Sequence, residues 1–207
     1  MIETASDTTT APEQITIPKS LIYEEIDGRP IYYRGYQAVL ANQKTLEDIM
    51  GCSDVQGVII STILEYLYQN VSTKQYKIIT NEIGLHLARK SNLSADIALY
   101  DKAVLQKTPL KSQYFEIPPR AVIEIDTKAD TSSFNTPADY YYAKTNKLFG
   151  FGVQEVLWIY TQTKKVMVAR PQQDWIIQDW SKPVTLLEQY TFSIADLIEK
   201  DGIKLPS

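Results

Sequence analysis

Residues 121–130 read AVIEIDTKAD, an apolar run that closes on two carboxylates and an amine. A β-strand sends successive side chains to opposite faces. The alternation therefore puts Val122, Glu124, Asp126 and Lys128 on one face and Ile123 and Ile125 on the other. Up to Glu124 the run is apolar on both faces, as expected of a central strand covered on both sides. A carboxylate in such a strand is unfavourable unless a partner or an ion neutralises it.

The preceding segment, SNLSADIALYDK, supplies a turn, a strand of about five residues starting near Ala95 and a second turn at Asp101–Lys102. On that strand Asp96, Ala98 and Tyr100 share a face, with Asp96 at its start. Taken singly, Asp96 reads as a turn cap, and Glu124 and Asp126 read as solvent-facing residues. Taken together, two neighbouring strands that each end on an acid offer the oxygen ligands that hard divalent cations such as Mg2+ accept.

The chain has 207 residues, 44% of them hydrophobic, enough for one domain with a sizeable core. The expected division is a loose tail over 1–20, one domain over 21–200 and a short tail over 201–207. Cys52 is the only cysteine and His86 the only histidine. That excludes an intramolecular disulfide and a cysteine-based zinc cluster, and fits a reducing, cytoplasmic setting. The opening residues carry an early acid and a threonine run but no apolar core of about 7–15 residues, so neither a signal peptide nor a membrane span is expected there. A formal net charge of -4 provides no overall basic field for a phosphate backbone, which weighs against strong non-specific nucleic-acid binding.

Further elements follow from periodicity. LIYEEIDGRPIYYRGY reads as a hairpin about Gly28. Val58, Ile59, Thr62, Ile63, Tyr66 and Leu67 recur at helical spacing, with Ser53 or Asp54 as the cap. YKIITNEIGLHLAR alternates as a strand. A helix starts near Pro137 and stops at Gly150–Gly152. VQEVLWIYTQTKKVMVARPQQDWIIQDW gives three strands with turns at Gln162–Lys164 and Pro171, and TFSIADLIEK a last helix capped by Ser193. This order predicts an α/β or α+β fold with helices covering the sheet. On the helix from Pro137, at about 100° per residue, Tyr141 and Tyr142 fall in the apolar arc and Tyr140 near solvent. Lys144 lies on the flank, where it can snorkel to solvent or swing towards the acids; the wheel alone favours solvent.

The ordered set Glu25-Ile26-Asp27-Gly28, Ala95-Asp96, Glu124-Ile125-Asp126-Thr127, Lys144 and Gly152-Val153-Gln154-Glu155 resembles the PD-(D/E)XK nuclease superfamily, and within it the bacterial Uma-type restriction endonuclease-like family. The resemblance spans roughly residues 21–197. It implies a restriction-endonuclease-like core with a mixed central β-sheet flanked by helices. It also implies Mg2+- or Mn2+-dependent hydrolysis of DNA phosphodiester bonds, with Asp96 and Glu124 as metal ligands. The sequence departs from the pattern in three places. Ala95 stands where the family has proline. Asp126 stands where the superfamily has its lysine, so the amine falls to Lys128 or, as the family pattern suggests, to Lys144. The strand EVLWIY replaces a Glu-Tyr-Trp start. Asp126 is left with two roles, ligand of a second ion or partner of Lys128.

Other residues read as structural. His86 is expected to be a half-exposed strand residue, Glu82 a weak candidate for an accessory ligand, and Trp158, Trp175 and Trp180 core or interface aromatics. Two further functions fit the same residues: a catalytically silent binding or assembly module on a nuclease fold, and a metal-dependent phosphodiesterase acting on a small molecule. A homodimer is expected by analogy with enzymes that cut both strands of a duplex.

Overall fold

The computed structural model describes residues 16–206, so the first fifteen residues of the expected N-terminal tail lie outside the described residues. A single 3-10 turn, Lys19–Leu21, leads into the hairpin of β1 (Ile22–Ile26) and β2 (Arg29–Tyr32). Its two-residue loop is Asp27-Gly28, both at positive φ, the backbone that lets a tight hairpin follow the natural twist of its strands. Two short helices follow, α1 (Tyr36–Leu40) and α2 (Glu47–Met50), then the long α3 (Asp54–Asn70). Ser53 caps α3 by accepting the Gln56 backbone N–H at 3.1 Å.

The chain continues through β3 (Tyr76–Ala88), β4 (Ser91–Asp101), a turn of helix α4 (Lys102–Leu105) and β5 (Ala121–Ile125). Next comes α5 (Pro137–Phe151), opened by Pro137 and by a reciprocal capping box between Thr136 and Asp139. Three strands follow: β6 (Glu155–Tyr160), β7 (Lys165–Ala169) and β8 (Ile176–Asp179). A small hairpin, β9 (Val184–Leu186) with β10 (Tyr190–Phe192), precedes α6 (Ile194–Asp201), which Ser193 caps.

Eight strands form one mixed sheet in the order β2-β1-β4-β5-β6-β7-β8, with β3 also paired to β4. Only β5 and β6 run parallel, joined by the α5 crossover as a parallel pair requires. Ile97, Leu99, Ile123, Ile125, Leu157 and Ile159 face one layer, which includes residues of α3 and α6. Ala98, Tyr100, Val122, Val156 and Trp158 face the other, beneath α5. β5 is thus buried on both faces, which accounts for its apolar character apart from Glu124.

The expected architecture is observed, with differences in detail. β4 has eleven residues instead of about five, so Asp96 lies inside a strand and not at its tip. The short helices α1, α2 and α4 and the β9–β10 hairpin carry too little periodicity to be read from sequence. The last helix runs to Asp201, and Leu205 beyond it packs on the core. Among the described residues, no helix is long and apolar enough to cross a membrane.

Because α5 carries Lys144, its start sets the position of that residue. Replacing Thr136 by alanine removes one half of the capping box and is expected to destabilise the protein by about 1 kcal/mol, read as a lower urea midpoint at unchanged slope.

Candidate functional site

β3 occupies one edge of β4 along almost its whole length, so β1 and β5 share the other edge in succession. β5 pairs with β4 from Leu99 to Ile97, and β1 pairs with it at Asn92. Between them β4 has no neighbouring strand. Two carboxylates fill the gap. Glu24 of β1 accepts the Ser94 backbone N–H at 2.9 Å and the Ser94 hydroxyl at 3.1 Å. Asp96 accepts the Ile125 backbone N–H at 2.7 Å, taking the donor that β4 would meet if the ladder continued. Gln56 of α3 closes the arrangement by donating to the Ile125 carbonyl at 2.8 Å.

The antiparallel register that pairs Ile97 with Ile123 puts Asp96 opposite Glu124. Glu124 shares the α5 side of the sheet with Trp158, its partner in β6. Lys144 of α5 drops onto this point. Its ammonium lies 2.8 Å from Glu24 Oε1 and 3.0 Å from Glu124 Oε1. Lys144 is 0% exposed, Glu24 and Glu124 2%, and Asp96 9%. The faces of Trp158 and Tyr23 complete the ammonium's surroundings, with ring centroids 5.4 and 5.9 Å away, within the range of a cation–π attraction.

Charge and burial set the protonation of the cluster. Burial pushes the Glu124 carboxyl up to about 8, against the pull of Lys144 and with the help of Asp96 and Glu24. Asp96 is also raised, chiefly by burial, although the Ile125 amide and Lys144 counter this. Burial alone would lower the Lys144 ammonium, but Glu124 and Glu24 outweigh it and hold the amine well above its ordinary value. With all three carboxyls ionised, the cluster around the one ammonium would carry a surplus of two negative charges, the charge one divalent cation carries, whereas the raised Glu124 stays mostly protonated at neutral pH. Neither Lys144 Nζ nor Glu124 Oε1 makes an aligned hydrogen bond despite their contact, and Asp96 Oδ1 has only a 3.5 Å contact with Gln56. Among the described residues, no three His, Cys, Asp or Glu side chains converge as a ligand group. Glu24 is committed to Ser94, Tyr140 and Lys144, so the protein offers a pair of carboxylates.

The structure thus brings Asp96, Glu124 and Lys144 together and leaves Asp126 and Lys128 out. β5 ends at Ile125, and Asp126 adopts a left-handed backbone, φ 53°, which breaks the alternation expected to align both residues with Glu124. The Asp126 carboxylate accepts from the Thr161 amide at 2.9 Å and the Thr161 hydroxyl at 2.5 Å. Lys128 is ion-paired with Glu82, so the expected Asp126–Lys128 partnership does not form. Burial lowers the Lys128 ammonium.

Two other readings change. The buried face of α5 comprises Tyr140, Lys144, Thr145 and Leu148, while Tyr142 is 62% exposed. The wheel placed Tyr140 and Lys144 outside because it scored only apolar character, whereas the acids of β1 and β5 draw both polar groups inward. The resemblance puts the N-terminal acid at Glu25, but Glu24 is the buried one. His86 is half-buried, with Nδ1 2.6 Å from Asn92 Oδ1 on the adjoining strand, a structural role as expected. Trp158 and Trp180 are core residues, and Trp175 packs against Tyr142 and Phe149.

No known family model matches the chain, and no curated protein does. Among solved structures it is similar to a protein from Anabaena variabilis described as "a putative nuclease belonging to DUF820". The TM-score is 0.60 at 18% sequence identity, covering 85% of this chain and 89% of the other. The two share a fold.

Removing Lys144 leaves its carboxylates without a cation. Lys144→Met is expected to lower stability by about 3–5 kcal/mol in urea titrations at neutral pH. The Glu24→Gln/Lys144→Met double variant should lose less than the sum of the single losses. A surface lysine would instead give a change within about 0.5 kcal/mol.

Proposed function

We propose that the protein is a divalent-cation-dependent nuclease that hydrolyses phosphodiester bonds in DNA, and that it belongs with the PD-(D/E)XK enzymes and the Uma-type family it resembles in sequence. The observation that carries this reading is the Lys144 ammonium 3.0 Å from Glu124, with Asp96 opposite Glu124 on the neighbouring strand. Nuclease chemistry gives a use to a lysine and two acids that a purely structural core would replace with apolar side chains.

The residues present fit a Mg2+ or Mn2+ ion. Asp96 and Glu124 would hold it, each with an oxygen free of strong hydrogen bonds, and two carboxylates suit an ion that keeps several waters and takes further ligands from a phosphate. When bound, such an ion supplies Lewis acidity, lowering the pKa of a coordinated water and neutralising charge on the phosphoryl oxygens. Lys144, held as a cation, stabilises negative charge that builds on the phosphate in the transition state or orients the attacking water. Its high proton affinity excludes it as a general base. The Ile125 amide and Gln56 keep Asp96 in the sheet plane, so the ligand pair does not have to be ordered when an ion arrives.

A second reading, a catalytically silent nuclease-fold binding protein, is favoured by one observation: Lys144 has no exposed surface and Glu124 almost none. Incubation with supercoiled plasmid, linear duplex and single-stranded DNA in millimolar Mg2+ or Mn2+ separates the two. The nuclease reading predicts cleavage by the wild type, loss of cleavage on chelation, and loss in Glu124→Gln, whose amide keeps the side-chain shape. Equal cleavage by wild type and Glu124→Gln would assign the activity elsewhere. An inert wild type that also fails to bind Mn2+ calorimetrically would leave the silent module.

A further inference from the structure

We infer that Glu24 is a positioning residue for Lys144, and that Tyr140 and Ser94 are what fix Glu24. This rests on the nuclease reading for its consequence in catalysis, but its structural half stands independently. Glu24 receives three hydrogen bonds and one ion pair. Ser94 contributes its backbone N–H and its hydroxyl, Lys144 approaches the same oxygen at 2.8 Å, and the Tyr140 hydroxyl donates to the other at 2.8 Å. The Tyr140 oxygen is also 3.4 Å from the Thr127 hydroxyl, on the segment that leaves β5. Glu24 therefore ties three pieces of chain together: β1, the unpaired stretch of β4 and the buried face of α5.

The division of labour between the acids follows from their hydrogen bonds. Both oxygens of Glu24 accept hydrogen bonds from the protein's own donors, Oε1 from Ser94 and Oε2 from Tyr140. Glu124 makes no aligned hydrogen bond through Oε1. An ammonium on a four-carbon stem has many rotamers, and each lost degree of freedom carries an entropic penalty. Glu24 removes that freedom before substrate arrives. It holds the charge 3.0 Å from Glu124. Tyr140 and Lys144 lie four residues apart on α5, hence on one helical face, so a single carboxylate from β1 can grip both.

Two arms test this. In the first, Lys144 is probed in the folded protein with an amine-acetylating reagent and peptide mass spectrometry. Wild type should leave Lys144 unmodified while exposed lysines react, whereas Glu24→Gln should lose this protection and Tyr140→Phe should lose part of it. Tyr140→Phe and Ser94→Ala keep all charges, so they remain informative if Glu24→Gln does not fold. In the second arm, cleavage kinetics should show kcat reduced by about 100-fold in Glu24→Gln, the scale of a misplaced catalytic group. KM and Mn2+ affinity should be unchanged, and Glu24→Asp should recover part of kcat.

Continued protection of Lys144 in every folded variant would overturn the inference. So would a Glu24→Gln defect confined to Mn2+ affinity, because Glu24 would then be a ligand. If the wild type cleaves no DNA, the nuclease reading fails while the acetylation arm still decides whether Glu24 positions Lys144.

Discussion

One ammonium buried against two carboxylates governs how this molecule is put together. Desolvating a lysine is costly, and a low-dielectric surrounding repays that cost only when opposite charges sit at contact distance with good geometry. Lys144 meets Glu24 at 2.8 Å and Glu124 at 3.0 Å, and those distances dictate much else. α5 must present Lys144 towards the sheet, β1 must approach β4 closely enough to lend Glu24, and β5 must end where Glu124 can reach both.

The sheet accommodates this by leaving a gap. β4 pairs with β3 along one edge, while β1 and β5 divide the other. In an uninterrupted ladder the Ser94 and Ile125 amides would find strand carbonyls. Here they are met by Glu24 and Asp96, so the backbone remains satisfied and the two acids become fixed parts of the sheet. The same substitution of side chain for strand gathers negative charge at one place. Burial then raises Glu124 and Asp96. A cluster of that kind is unfavourable for folding, and strongly perturbed groups gathered in one place are what the proposed function builds on.

What could be read from the amino acids alone divides along physical lines. The apolar run of β5, the alternation of β3 and the Pro137 start of α5 are local signals, and the fold class followed from them. Asp96, Glu124 and Lys144 could be found because acids in covered strands are rare and their order matched a family pattern. Asp126 and Lys128 were drawn in by extending the strand alternation two steps too far. No signal in the sequence marks the left-handed turn at Asp126, whose carboxylate is held by Thr161 in the turn that follows β6. Tyr140 was misplaced because a helical wheel built on hydrophobicity cannot know that a carboxylate waits on the facing strand. Glu24 was obscured by its neighbour Glu25, and only the pairing of β1 with β4 tells them apart.

The proposed chemistry requires the free oxygens of Asp96 and Glu124 to grip a single cation beside Lys144. Anomalous diffraction from crystals soaked in Mn2+ addresses that directly. The expected result is one strong peak between the two carboxylates, with Lys144 still against Glu24 and Glu124. Full soaking with no peak there, or a peak elsewhere while Asp96 stays bound to the Ile125 amide and Gln56, would contradict it.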